Sequence, residues 1–309
     1  MLIRPRFALA VAVLLCALLP GTGSAAQTSK AAELLGSKLP SLSSGPLQRA
    51  TLAGLQKGVL LSGKGLSIKS ADLDEEIAGY PASARSHLSK YRFFTLEQMA
   101  VRKFLEQEAR DWASRNRISA SGDELVRKYV RSVVPTPVVT DAEVSRFFQE
   151  NRSMFESATF DQVKADVRAY LEEEKRAAAV RRYLKSTSSR HAVQVSRTWA
   201  SQQYQTWIKN PVEQARRSGR PTLVDFGKED CQPCRIMAPL LADLRQEYKG
   251  KLNVLFIHVD KEPVLAAHYE AEIIPMQVFY DKSGKEVETH VGLLSRNEIN
   301  LKLKRMGIK

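Results

Sequence analysis

Thr222 to Cys234 reads TLVDFGKEDCQPC, a strand-type apolar run followed by a short polar turn and a C-x-x-C pair. The residues that follow, through about Tyr248, have the apolar spacing of a helix, so Cys231 stands where a strand hands over to a helix N-terminus. Unsatisfied amides and the positive end of the helix dipole favour thiolate over thiol at that point, which marks Cys231 as a nucleophile. Cys234 is one turn further in and more buried, placed to attack a mixed disulfide on Cys231 and close an intramolecular bridge. A metal half-site would need two further ligands, and the nearest downstream histidine, His258, falls in a strand pattern. Haem attachment through C-x-x-C-H is excluded because Arg235 follows the motif. A purely structural bridge across so short a loop would constrain little chain.

Working outward, strand-like runs recur at Val254–Val259, Met276–Tyr280 and Glu286–Val291, with helical segments between and after them and a Ser283-Gly284 turn before the last strand. That alternation predicts an α/β domain of about 100 residues, over 216–309, entered through a linker or first helix at 198–215. Upstream the period changes to three and four. Leu96, Met99, Val101, Phe104, Leu105 and Ala109 share one helical face, as do Val144, Phe147 and Phe148. Four capping boxes mark expected helix starts: Thr95 with Gln98, Ser121 with Glu124, Thr140 with Glu143, and Thr159 with Gln162. Val163–Leu184 reads as a long amphipathic helix with Glu172 and Arg176 paired on its solvated side, and Ala192–Val195 as a strand closing the module. The fold class is therefore multi-domain: an all-α, mostly helical N-terminal module over 52–197 and a C-terminal α/β domain. The Ser-, Gly- and Pro-containing stretch 27–51 reads as a loosely ordered lead-in.

The chain has 309 residues, 43% of them apolar, enough for two cored domains. Residues 1–26 have the three parts of a secretory signal: Arg4 and Arg6, the apolar run Phe7–Leu19, and Ser24-Ala25-Ala26 as a cleavage site, so export to a periplasm is expected. Processing would remove two arginines, no acids and Cys16, lowering the formal charge from +13 to +11 and leaving Cys231 and Cys234 as the mature thiols. The positive charge is spread along helices without a basic stripe interleaved with aromatics, which argues against a nucleic-acid partner. Neither a cofactor nor a metal is expected.

Beyond the C-x-x-C, the segment from about 205 resembles the thioredoxin family. The resemblance rests on VDF at Val224–Phe226, CQPC at Cys231–Cys234, Pro239 within the following helix, VDKEP at Val259–Pro263, Ile274-Pro275 before MQVFYD, and Gly284 and Gly292. It implies a thioredoxin fold, a cis peptide before Pro275, and a substrate groove formed by Ile274, Pro275, Gln232 and Pro233. It also implies that Asp225 takes the proton of the resolving cysteine, with its pKa raised by burial. Three departures bear on substrate and potential: Phe256 stands where the family has a lysine partner to that carboxylate, Gly227 and Asp230 replace two tryptophans, and Met276 replaces the common threonine. Asp230 beside Cys231 is expected to oppose thiolate formation. The segment is similar to exported thioredoxin-like proteins that work with a CcdA- or DsbD-like membrane electron donor. Upstream, Gly63–Ser67, Ala71–Ile77, Val139–Val144 and Glu150–Phe155 resemble SurA/parvulin-type periplasmic chaperones from which the isomerase domain has been omitted. Together these resemblances imply a periplasmic thiol-disulfide oxidoreductase, a protein-disulfide reductase whose helical module binds polypeptide or docks a partner. The rival expectations are a disulfide oxidase or isomerase, and a holdase chaperone with an accessory redox site.

Overall fold

The computed structural model describes residues 32–155 and 157–308; the expected leader and Cys16 lie outside them. In chain order the elements are α1 (Leu35–Lys38), β1 (Thr51–Ala53), β2 (Val59–Gly63), β3 (Leu66–Lys69), α2 (Ser70–Ala78), α3 (Ala82–Lys90), α4 (Arg92–Asn116), α5 (Gly122–Val133), α6 (Asp141–Glu150), α7 (Phe160–Arg190), β4 (Val193–Ser196), α8 (Arg197–Trp207), α9 (Pro211–Arg216), β5 (Thr222–Gly227), α10 (Gln232–Glu247), β6 (Asn253–His258), α11 (Pro263–His268), β7 (Met276–Tyr280), β8 (Glu286–Val291) and α12 (Arg296–Arg305). The helical N-terminal region and α/β C-terminal domain expected from the periodicity are both present.

Of the four expected capping boxes, two form. Thr140 accepts from the Glu143 amide at 3.3 Å while its own amide donates to Glu143 Oε2 at 2.9 Å, and the Thr159 amide donates to Gln162 Oε1 at 2.7 Å. Ser121 is the N-cap of α5 without a side-chain cap bond. Thr95 caps nothing: α4 begins at Arg92, because Phe93 belongs to the same buried stripe as Leu96, Ala100 and Phe104 and draws the preceding turn into the helix. On α7, Arg176 pairs with Glu173 at 3.4 Å instead of the expected Glu172.

Two features of the N-terminal half depend on partners far away in sequence. The expected strand at Ala192–Val195 is β4, and it is interior to a four-stranded sheet of order β1-β4-β2-β3 that the helical reading did not contain. The lead-in is ordered from Leu34 onward. Leu35, Leu42 and Leu47 are core residues, and Ser43 and Ser44 between the last two are donors to Glu97, itself fully buried on α4. Glu97 accepts from Ser43 Oγ, from the Ser44 amide at 2.9 Å and hydroxyl at 2.7 Å, and from the Leu47 amide at 3.0 Å.

The C-terminal sheet has the order β6-β5-β7-β8, with β5 parallel to β6 and antiparallel to β7. Leu223 and Phe279 pack on one face against Met237 and Leu241 of α10 and Ile299 and Leu303 of α12. Val224, Phe226, Met276 and Val278 pack on the other against α11 and Trp207, and that core continues into Leu61, Ile68 and Leu96 of the N-terminal region.

Removing the Glu97 carboxylate strands four donors in the core. Glu97→Ala is expected to cost about 3 kcal/mol in denaturant unfolding and to open residues 39–48 to limited proteolysis. An unchanged midpoint with an intact 39–48 segment would contradict the clasp.

Candidate functional site

All six residues of β5 are buried, which fixes where the chain leaves the sheet at Gly227. The turn over Lys228–Asp230 then delivers Cys231 as the N-cap of α10, where its Sγ accepts from the Cys234 amide at 3.2 Å. Cys231 and Cys234 are joined in a disulfide with their Cα atoms 5.2 Å apart. Cys231 is half-buried and Cys234 is 3% exposed, so an incoming group reaches the first sulfur before the second. Gln232 is exposed and Pro233 half-buried on the first turn of the helix. A Cβ at Gly227 would stand 3.2 Å from Cys234 Sγ and 3.0 Å from the Phe256 ring, so the chain beneath the disulfide has no room for a side chain.

The Ile274–Pro275 peptide is cis. Because Phe226 is in register with Met276, Pro275 lies at the same end of the sheet as Gly227 and the disulfide. Its carbonyl accepts from the Gly292 amide at 2.8 Å, which ties the proline to the loop after β8. Pro275 is buried and Ile274 half-buried. The structure thus gathers Cys231, Cys234, Gln232, Pro233, Ile274 and Pro275 at one end of the sheet.

Asp225 is fully buried one residue before Phe226, opposite Phe256 on β6 and Gln277 on β7. Burial raises its carboxyl pKa to about 7, opposed by a hydrogen bond from Gln277 Nε2 to Oδ1 at 2.8 Å; Oδ2 has no partner among the described residues. Phe256, 41% exposed, brings no cation to the carboxylate. Gln277 is the residue that sequence reading took only as part of a motif. Its signal was the register: two polar residues, each in the middle of an apolar strand, have to face each other if either is to be satisfied.

The acids of the turn are less opposed to a thiolate than their formal charges suggest. Asp230 pairs with Lys228 at 3.4 Å, and Glu229 is held down to about 2 by Lys261 at 3.0 Å with His258 on its other oxygen. His258 therefore has a structural partner and sits at the base of the turn. Among the described residues, no group of three or more His, Cys, Asp and Glu side chains could hold a metal ion.

A half-buried sulfur at a helix N-terminus, a shielded one behind it and a buried carboxyl that titrates near neutrality can together exchange one disulfide for another. Known proteins match this same part of the chain. The family profile described as Thioredoxin matches residues 198–305. The thioredoxin of Rickettsia bellii is 32% identical over 87 residues, 28% of this chain and 82% of that protein. That of Buchnera aphidicola is 42% identical over 82 residues, 26% and 74% respectively, and thioredoxin 1 of Nostoc is 33% identical over 85 residues, 28% and 78%. With most of a thioredoxin's length matched, and the disulfide, the buried Asp225 and the cis-proline at one end of the matched sheet, the chain belongs to the thioredoxin family and is a thiol-disulfide oxidoreductase.

Proposed function

We propose that the protein is an exported protein-disulfide reductase, in which Cys231 attacks, Cys234 resolves, Asp225 manages the proton and the helical region receives the polypeptide. The observation that carries this reading is the pairing of a half-buried Cys231 with a buried Cys234 above a buried Asp225. In the dithiol form, Cys231 thiolate attacks one sulfur of a substrate disulfide. The substrate S–S bond breaks, a Cys231–substrate S–S bond forms, and the other substrate sulfur leaves as a thiolate that takes up a proton. Cys234 gives its proton to the Asp225 carboxylate and attacks Cys231 Sγ, expelling the second substrate thiolate and leaving the Cys231–Cys234 disulfide. Two electrons have passed from the protein dithiol to the substrate.

A pKa near 7 suits Asp225 to accept and return that proton at neutral pH. Export is supported by the charge and apolar pattern of residues 1–26, and in an oxidising compartment the dithiol must be restored by a donor, for which a CcdA- or DsbD-like membrane protein is the proposed class. Proline before Cys234 and isoleucine before the cis-proline support reduction over oxidation.

The direction of electron flow is checked by equilibrating the protein with glutathione buffers. A potential near the thioredoxin value of about −270 mV is expected; one between about −120 and −180 mV would make it an oxidase or isomerase. Cys234→Ser leaves Cys231 without a resolving partner, so mixed disulfides with substrate proteins should accumulate on non-reducing gels and vanish in Cys231→Ser/Cys234→Ser. Their absence would count against a protein substrate.

The raised pKa of Asp225 has a definite sign in stability. The contribution of Asp225 to the stability of the oxidised protein should be greatest below about pH 4, where the carboxyl is protonated folded or unfolded, and be lost as pH rises through about 7. Asp225→Asn abolishes that loss, stabilising the oxidised protein at pH 8 by on the order of 3 kcal/mol while slowing the resolving step. Urea unfolding of both proteins between pH 4 and 8 decides, since parallel curves would mean that Asp225 is not the titrating group.

A further inference from the structure

A cavity of about 710 Å3 lies between the helical region and one face of the thioredoxin sheet, lined there by Met276, Val278 and Tyr280 of β7 and by the β8 residues in register with them. β8 is last in the strand order, so its outer edge has no strand partner among the described residues. Glu286, Thr289 and Val291 of β8 line one side of the cavity, and Tyr170, Glu174, Arg181 and Lys185 line the other. Spacings of four, seven and four place those four residues on one stripe of α7. At the redox end the cavity reaches Met276, which follows Pro275, and Asn151, whose Oδ1 lies 3.1 Å from where a Cβ on Gly292 would stand. The cleft therefore runs along β8 to the residues that flank the cis-proline.

Its charge is one-sided. Arg181 is paired with Glu270 at 3.3 Å and Glu272 at 3.1 Å, Lys185 with Glu270 at 2.7 Å, and Arg216 with Glu213 at 2.5 Å. Glu150, Glu174 and Glu286 line the same cleft and make no ion pair among the described residues; Glu286 accepts only the Thr289 hydroxyl, at 2.9 Å. Burial, with the nearby Arg216 charge, pushes His268 down to about 3, and burial also lowers His290, so both imidazoles are neutral at pH 7. In a chain of formal charge +13, this cleft presents unpaired carboxylates.

The six residues of β8 span about 20 Å at roughly 3.3 Å each, the length of an extended segment of the same size. A cleft of that length along the margin of the sheet accepts an extended chain whatever its sequence, so the carboxylates supply the selectivity. We propose that the cleft binds an extended, positively charged segment of a protein substrate along β8, with Glu150, Glu174 and Glu286 facing its cations, and presents the adjoining disulfide to Cys231 past Pro275. This rests on the protein-disulfide reductase reading and adds no chemistry to it; the bond exchange remains that of Cys231 and Cys234.

The test uses the full chain, kept reduced by dithiothreitol, with two peptides that share one disulfide loop and differ in a six-residue flank of Lys and Ser or of Glu and Ser. The Lys peptide should be reduced with kcat/KM about tenfold higher at low ionic strength, falling towards parity at 0.5 M salt. Glu150→Lys/Glu174→Lys/Glu286→Lys should reverse the order, and the milder Glu150→Gln/Glu174→Gln/Glu286→Gln should abolish the preference. Neutral bis(2-hydroxyethyl) disulfide should be reduced equally by all three proteins, which reports an intact redox site. Equal rates on the two peptides with the native protein, or a Lys preference that survives charge reversal, overturns the proposal while leaving the redox reading standing. Failure of the native protein on the neutral disulfide overturns the redox reading itself. A native dimer in sedimentation that charge reversal dissolves assigns the cleft to a second copy of this chain and likewise overturns the proposal.

Discussion

The site depends on β5 being buried along its whole length and hydrogen-bonded on both edges. A strand held by β6 on one side and β7 on the other cannot slip by one residue without turning Val224 and Phe226 out of one core and Leu223 out of the other. That constraint sets three things at once. It fixes the point at which Gly227 leaves the sheet, and with it Cys231 at the start of α10. It sets Asp225 on the α10 side of the sheet, opposite Gln277. It also aligns Phe226 with Met276, which carries Pro275 to the end where the disulfide is. The catalytic cysteines are in a turn, but their position is a property of the strand.

The same burial sets the electrostatics. Asp225 is surrounded by apolar strand residues, and its one hydrogen bond comes from a neutral amide, so the ionised form is poorly compensated and the proton is held to about pH 7. With Phe256 across the register on β6, a full positive charge is absent from that side, and the proton affinity of the carboxyl is left to burial and Gln277. At the surface the opposite holds: Glu229 and Asp230 have cations beside them, which limits their repulsion of a thiolate on Cys231. A buried acid near neutrality and a charge-balanced turn above it are what thiol exchange at pH 7 asks for.

The C-terminal domain was legible in the sequence because its signals are local. Strand runs, a C-x-x-C at a strand-to-helix junction and a proline before a strand each lie within a few residues, and all fall where they were read. What was missed depends on distant partners. Thr95 and Gln98 satisfy a local capping pattern, yet Phe93 has a core to reach and the helix starts earlier. β1 is three residues long and finds its strand partner only when β4 arrives from beyond residue 190, and the short hairpin of β2 and β3 joins a larger sheet only through that same strand. The segment Ser41–Leu47 reads as polar and loose because its donors are satisfied by carboxylates on elements fifty or more residues away. Gln277 belongs with these, since its role appears only once strand register sets it against Asp225.

That polar segment also decides how the two halves are joined. Ser41 donates to Glu213 on α9 at 2.7 Å, while Ser43, Ser44 and Leu47 donate to Glu97 on α4. Glu213 is itself buried, and takes further bonds from Arg216 at 2.5 Å and from Tyr269, the C-cap of α11, at 2.9 Å. One short stretch of chain thus ends on two buried carboxylates, one in the helical region and one in the thioredoxin domain. Losing the carboxylate at either end leaves buried donors without their acceptor, which costs more than losing a surface ion pair would. A spacer would need only an exposed, flexible connection. A core continuous from Leu61 and Leu96 to Met276 and Val278 is instead closed over by such a clasp, and Arg181 and Lys185 tie α7 to Glu270 and Glu272, so the cleft between α7 and β8 has a shape of its own before anything binds in it.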